Sequence, residues 1–442
     1  MAIGRTNACG AGGGIDINGV VNEYIVADGE SISAGDFAKV TDGKIYSSMN
    51  IKTSISSRIE AISLSASTIL LVYADKNNSK YLSAVILTVN ENKSIKIGTS
   101  LVISSLDVIG FDFSPVKIND DTVLLLYDYY GSNQINYAFL SISGESIQVT
   151  GTGTINLNGR PFAIALSPTK VLVAYNDRTN NHFGTASILT VNGNTISTST
   201  PTVFYSGALD KVAAPISLLN ASNILISFIC HNASSSYPYA EYVVAMTISG
   251  TTITAGTSVY LTNQRSSIDF SNPIAVLTET KVIAPYQSTN SYYGKIKLLT
   301  INGRKITLSG KEVPFNQYTT HGVAIAAVSQ TKAFIVYMDY ATEGRVSFIV
   351  SIFFDGINIM VGNAEQIFTS ISGNPVICVL DQSTAVIFLS TGSGDEYPIT
   401  AIVYSLTPHV SSLTNVRDPA VIAAESGAGG GTIKCYTPNI YI

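Results

Sequence analysis

The chain has 442 residues, 46% hydrophobic and only 12% charged, with a formal net charge of −5, 24 tyrosines and no tryptophan. Ordinary soluble domains carry roughly 25% charged residues, so Ser, Thr, Asn and Tyr must supply much of this surface. No basic cluster offers a footprint for a phosphate backbone, which sets nucleic acid aside, and no apolar run nears the ~20 residues of a membrane-spanning helix.

Residues 1–14, MAIGRTNACGAGGG, form a glycine-rich peptide without the apolar core of an export signal. A strand-like segment follows, VNEYIVADGESISAGDFAKVTDGKIY at 21–46, with turns expected at Asp28-Gly29 and Asp42-Gly43. Beyond it one pattern returns seven times: a branched apolar run closed by an aromatic, a polar loop with aromatics, a second apolar strand and a turn. The runs are ILLVY (69–73), VLLLY (123–127), VLVAY (171–175), ILISF (224–228), VIAPY (282–286), AFIVY (333–337) and the degenerate VIFLS (386–390). Their last residues, Tyr73, Tyr127, Tyr175, Phe228, Tyr286, Tyr337 and Ser390, stand 54, 48, 53, 58, 51 and 53 residues apart. A period near ~50 with several short strands per unit is the pattern of propeller blades.

The third unit shows the expected scheme, with strands at 161–166, 170–175 and 185–191 and a last strand running from Thr195 to Phe204. Asn192-Gly193 joins the third strand to the fourth. The equivalents are Ser143-Gly144, Ser249-Gly250, Asn302-Gly303 and Asp355-Gly356, with Asn90-Glu91 as a longer variant. Such dipeptides favour type I′ turns, which need positive φ at both central residues. The expected fold is therefore all-β: a seven-bladed β-propeller of four antiparallel strands per blade over 47–417, plus a small β module built from 15–46 and 418–442. Which terminal segment closes the last blade, 44–50 or 409–416, is open at this stage.

The terminal segments carry a resemblance. MAIGRTNA followed by glycines is similar to the start of many tail-fibre and other virion proteins of phages and prophages of Firmicutes. ISAGDFAKV (32–40) and AVIAAESGAGGGTIKCYTP (420–438) together resemble a small phage β module of virion structural and head-decoration proteins, departing from its usual form at Ala423-Ala424. There the two halves are neighbours; here the repeats lie between them. The resemblance implies a virion surface protein assembled in the bacterial host cytoplasm, anchored through the terminal module to other virion proteins. It further implies a homo-oligomer in the particle and a propeller displayed for attachment to a host-surface glycan or protein. A head-decoration or purely structural subunit is the alternative, and a propeller enzyme acting on glycans a second.

Catalytic constellations do not emerge, and neither a metal nor a cofactor is expected. His182, His231, His321 and His409 fall in no ligand spacing. Cys9, Cys230, Cys378 and Cys435 lie far apart, Cys230 and Cys378 reading as small buried apolar residues. Asp75, Asp128, Asp177, Asp339 and Asp395 stand near the ends of second strands, where an aspartate opens a polar loop by bonding its own backbone. What recurs is aromatic: Tyr81, Tyr129, Tyr130, Tyr137, Phe183, Tyr237, Tyr239, Tyr292, Tyr293, Tyr340 and Tyr397 lie in or beside the loops between second and third strands. In a propeller these loops share one face, so Tyr130, Tyr239, Tyr293 and Tyr397 are the expected ligand-binding residues. The same aromatics also suit packing at strand ends.

Overall fold

The computed structural model describes side chains for residues 45–51, 59–106, 112–129, 132–209, 216–230, 240–262, 274–288, 291–340, 346–369, 374–390 and 398–406, and strand course alone at further strand positions. Among the described residues the chain is all-β, its strands pairing antiparallel except for Phe270–Asn272 with Lys305–Ala327 and Val21–Val26 with His409–Ser412, with one 3-10 turn at Lys76–Asn78. No helix among the described residues is long and apolar enough to cross a membrane. The trace separates into two compact units: Tyr46–Asp381 with Ala385–Val403, and Met1–Ile45 with Gln382–Thr384 and Tyr404–Ile442.

Among the described residues the larger unit contains five hydrogen-bonded sheets. Sheet A orders Ile55–Ser63, Thr68–Asp75, Tyr81–Val89 and Leu101–Asp107, with Ile95–Ile97 also on the third strand. Sheet B is the meander Phe113–Asn119, Thr122–Tyr127, Ile135–Ser143 and Ser146–Ile155. Sheet C links two meanders through the strand Thr202–Lys211, which pairs back to Phe183–Asn192 and onward to Asn223–His231. Sheet D does the same through the 23-residue strand Lys305–Ala327, which pairs with Tyr293–Asn302 and then with Lys332–Asp339. Sheet E orders Val376–Val379, Thr384–Ser390 and Ile399–Ser405, and takes its fourth strand from Lys44–Lys52.

Second strands are buried on both faces, so they read as unbroken apolar runs instead of alternating ones. In sheet B Val123, Leu124, Leu125 and Leu126 are all fully buried. Each such strand sends alternate side chains to opposite neighbours: Leu125 and Tyr127 pack toward sheet A, Leu124 and Leu126 toward the first meander of sheet C. The same division recurs along the chain, and one cluster joins Phe388 and Val403 of sheet E to Leu71 and Tyr73 of sheet A. Opening strands also meet: Ile55–Ser63 touches Phe113–Asn119, which touches Phe162–Ser167, while Val376–Val379 touches Ile55–Ser63. A cavity of about 330 Å³ lies among the opening strands, lined by Glu60, Ser114, Lys117, Phe162 and Ile216.

The expected fourth strand of the third repeat, Thr195 to Phe204, is two strands, Thr195–Thr198 and Thr202–Lys211. At the break Ser199 N–H donates to the Ile188 carbonyl (2.8 Å) and the Ser199 hydroxyl accepts from Ile188 N–H (2.9 Å). Pro201 has no N–H to offer a ladder. The first, fourth and sixth repeats interrupt the same strand at a glycine, where Gly98, Gly256 and Gly362 N–H reach the carbonyls of Ile86, Ala245 and Ser351, whereas Ser146–Ile155 and Lys305–Ala327 run on unbroken.

The hairpins form where expected, but the glycine is the first central residue of each turn. There φ is 58°, 57°, 65° and 57° at Gly144, Gly193, Gly250 and Gly303, while the residue after each is not in the positive-φ region, the pattern of a type II′ turn and not of the expected type I′. The residue after three of these glycines reaches the fourth strand of the preceding meander. Asn194 donates to the Thr150 carbonyl (2.9 Å), Arg304 to that of Ala255 (3.4 Å), and Glu145 pairs with Lys96 (2.9 Å). At Gly256 an added Cβ would stand 2.3 Å from the Arg304 carbonyl and 2.9 Å from that of Ala245, both backbone atoms. Gly256→Ala is therefore expected to destabilise by about 1–3 kcal/mol. Gly310→Ala, with nothing within 4 Å of the new Cβ, should stay within about 0.5 kcal/mol of wild type. Urea midpoints of the two variants check this.

In the smaller unit, Val21–Val26, His409–Ser412, Phe37–Thr41, Val421–Ala423 and Thr432–Tyr436 close a five-stranded barrel. Val21–Val26 runs antiparallel to Thr432–Tyr436, and Phe37–Thr41 to Val421–Ala423. Two short ladders accompany it, Ile15–Asp16 with Asn439–Ile440 and Ser31–Ile32 with Gly427–Ala428. His409–Ser412, placed by its sequence within 47–417, thus pairs in this barrel, and sheet E is completed by Lys44–Lys52 instead. Residues 1–14, with Cys9, and the side chain of Cys435 lie outside the described residues.

Candidate functional site

The aromatic loop residues do not share one environment. Tyr137 is buried edge-on against Phe139, at 5.6 Å between ring centres, and covers Gly153. Tyr129 packs half-buried on the core between sheets A and B. Tyr130, Tyr237 and Tyr397 lie outside the described residues, as does the side chain of Tyr239. Of the four expected ligand-binding tyrosines, Tyr293 is the one described, and it is 39% exposed.

Tyr293 stands where the long strand of sheet D passes from one meander to the next. It pairs with Thr319, and on the far side of Thr319 the Tyr340 N–H bonds the Thr319 carbonyl (3.0 Å). Cross-strand neighbours project to one face at the ~4.8 Å strand spacing, so Tyr293 and Tyr340 flank Thr319 about 10 Å apart. Tyr340 is 36% exposed and its ring centre lies 4.2 Å from that of His321; Tyr318, the chain neighbour of Thr319, is 58% exposed.

Buried polar side chains hold this platform from below. The Gln287 amide donates to the Thr320 carbonyl (2.7 Å), the Asn316 amide to the Thr320 hydroxyl (3.0 Å), and that hydroxyl to the Tyr318 carbonyl (3.1 Å). Gln287, Asn316 and Thr320 are all nearly inaccessible to solvent. A satisfied buried network fixes backbone geometry, so the aromatic rings rise from a pre-organised base.

The same face continues down the strand Tyr293–Asn302, where every second side chain is shared. Lys295 reaches Glu312 at 3.0 Å and Lys297 reaches its other oxygen at 3.3 Å. Lys297 also donates to the Leu261 carbonyl (2.7 Å) and lies 4.6 Å from the centre of the Tyr286 ring. The Glu312 carboxyl is held down from 4.5 to about 2, first by the Tyr286 hydroxyl and then by the lysines. Because its folded pKa is depressed, the stability it contributes is present above pH 4.5 and lost as pH falls toward 2. In Glu312→Gln the acid side of the stability–pH curve should flatten across that window, as thermal melts at stepped pH would show. The side chain is 37% exposed, so solvent screening keeps the effect small.

A second polar cluster ties sheet B to the following meander. Asp128, 1% exposed, accepts from Arg178 Nη2 at 2.6 Å and from Tyr129 N–H at 2.9 Å. Arg160 approaches Asp112 at 3.9 Å, and its N–H bonds the Asn176 side chain at 2.9 Å. Burial raises the Asp128 carboxyl despite the pull of Arg178. Gly159 is required here, since a Cβ would lie 2.2 Å from the Asn176 carbonyl. Asp75 and Asp177 instead bond local backbone N–H groups at Asn77 (3.2 Å) and Thr179 (3.0 Å), as loop-opening aspartates do. Asp395 lies outside the described residues, as do the side chains of His231 and His409. Cys230 and Cys378 are free and buried, burial pushing the Cys378 thiol up to about 12. Among the described residues no group of three or more His, Cys, Asp or Glu is placed to hold a metal ion.

No family model and no curated protein matches the chain. Among solved structures, it is similar to a hypothetical selenium-binding protein from Sulfolobus tokodaii at 10% identity and TM-score 0.45, over 69% of this chain and 78% of that one. A triple arginine-to-alanine mutant of AofleA from Arthrobotrys oligospora aligns at 10% identity and TM-score 0.44, over 75% and 92%. The WD40 domain of SCAP from fission yeast aligns at 10% identity and TM-score 0.40, over 83% and 98%.

Proposed function

We propose that the chain is a non-enzymatic virion surface protein in which a seven-bladed propeller carries a recognition face and the terminal barrel is the anchor to other virion proteins. Support for the blades comes from the meanders themselves: one each in sheets A, B and E and two each in sheets C and D. The apolar cluster joining sheet E to sheet A is what a closed ring requires. Support for the anchor is the pairing of Phe37–Thr41 with Val421–Ala423, which brings together the two segments that resemble halves of one phage module.

The observation that carries recognition is the platform of Tyr293 and Tyr340 on its buried polar base. Tyrosine offers an apolar plane and a hydroxyl at low entropic cost, which suits a glycan or protein surface of the host. The double variant Tyr293→Ala/Tyr340→Ala is expected to weaken binding of the purified chain to host cells by about 1–3 kcal/mol while leaving its melting temperature unchanged. Unchanged binding would favour the decoration role, in which the blades make packing contacts alone. Cryo-electron microscopy of intact particles, giving copy number, oligomeric order and head or tail position, tests the virion assignment separately.

A further inference from the structure

We propose that the face bearing Tyr293, Lys295 and Lys297 is a subsite for the anionic group, carboxylate or phosphate, of a sugar bound on the tyrosine platform, and that Glu312 occupies this subsite when no ligand is present. The inference rests on the glycan-binding reading of the platform and names the ligand's charge. Two cations converge on one place: the ammonium groups of Lys295 and Lys297, at 3.0 and 3.3 Å from the two Glu312 oxygens. What they hold is a carboxylate, so the protein itself shows that the donor set accepts one.

Two positive charges face a single negative one, leaving an excess of one cation at a partly desolvated spot where charge-assisted bonds are strong. The holder of the carboxylate is the least fixed member: Glu312 is 37% exposed, whereas the side chains of Lys295 and Lys297 are 26% and 15% exposed. Lys297 is pinned by the Leu261 carbonyl and by the Tyr286 ring, so the donors stay in place if the Glu312 side chain swings out. Tyr293 lies one same-face position from Lys295, about 6.7 Å along the strand. A sugar stacked on Tyr293 thereby brings its acid group over the two lysines.

The test is titration calorimetry of the full chain with a tetrameric uronate, its neutral methyl ester and a sugar phosphodiester oligomer, on wild type, Glu312→Gln, Lys295→Gln and Tyr293→Ala/Tyr340→Ala. Wild type should prefer an acidic probe to the methyl ester, and which acidic probe binds tells carboxylate from phosphate. Glu312→Gln should tighten that probe by about fivefold or more and Lys295→Gln weaken it by a similar factor. A merely structural ion network predicts no gain from Glu312→Gln. Equal binding of acid and ester that is lost in the tyrosine double variant would overturn the subsite and leave the platform standing. Binding of no probe by wild type, or the same binding by the tyrosine double variant, would overturn both. Thermal melts of each variant establish that folding is intact, and Glu312→Gln failing to tighten the acidic probe in a folded protein overturns the proposal.

Discussion

Phe388→Ala is expected to cost about 3–5 kcal/mol, among the largest effects of any single substitution in the larger unit. Phe388 is fully buried in the cluster where sheet E meets sheet A, packed with Tyr73, Ile69 and Val403. Its removal opens a cavity at the joint between the last meander and the first, where partners come from opposite ends of the sequence. Ile357→Ala, at a hairpin tip where the side chain is 79% exposed, should shift stability by no more than about 0.5 kcal/mol. A denaturant midpoint for Phe388→Ala equal to that of Ile357→Ala would refute the packing described for this joint.

Arg178→Met is the second large effect. It leaves the Asp128 carboxylate, 1% exposed, without the guanidinium 2.6 Å away, and breaking a buried pair from one side typically costs about 3–5 kcal/mol. Adding Asp128→Asn should recover much of this, because the buried charge goes with it. The pH dependence has a definite sign. Burial already raises the Asp128 carboxyl in the folded protein, and losing Arg178 removes a group that lowers it. A folded pKa above the unfolded one means stability that is present at low pH and lost as pH rises through the folded value. The deficit of Arg178→Met should therefore shrink as the solution is acidified through the carboxylate range. A deficit that grows in acid, or a double variant no better than the single, would contradict this account.

The strands and turns were legible because their signals are local. Unbroken apolar runs mark second strands, and the small-residue–glycine dipeptides mark turns whose glycines do take positive φ. The interruption of fourth strands was less visible, although Gly98, Gly256 and Gly362 stand at like positions and only their backbone bonds reveal why. The platform was half legible. Tyr293 and Tyr340 lie in the loops searched for aromatics, whereas Asn316 and Thr320 of the base sit on the crossing strand, outside that window. Lys295 and Lys297 follow Tyr293 at alternate positions, a spacing readable once the segment is taken as a strand. Arg178 and Asp128 could not be joined from local pattern: they stand 50 residues apart, about one repeat, so only superposing consecutive units would have paired them.

Sheet E borrows its fourth strand from Lys44–Lys52, and the Thr400 hydroxyl bonds the Asn50 side chain across 350 residues at 2.8 Å. That seam imposes an order of events on the ribosome. At roughly 5–20 residues per second, the segment 44–52 emerges some tens of seconds before 399–405 exists to receive it. Throughout that wait the nascent chain carries a bare β edge, the kind of edge that invites pairing with a stranger. The loop this joint must close, 350 residues, is the longest in the larger unit's sheets. A ribosome stalled before residue 399 would hold a row of finished meanders with 44–52 and the strands between Ile15 and Thr41 still unclaimed, and that is the stage at which a chaperone has most to protect.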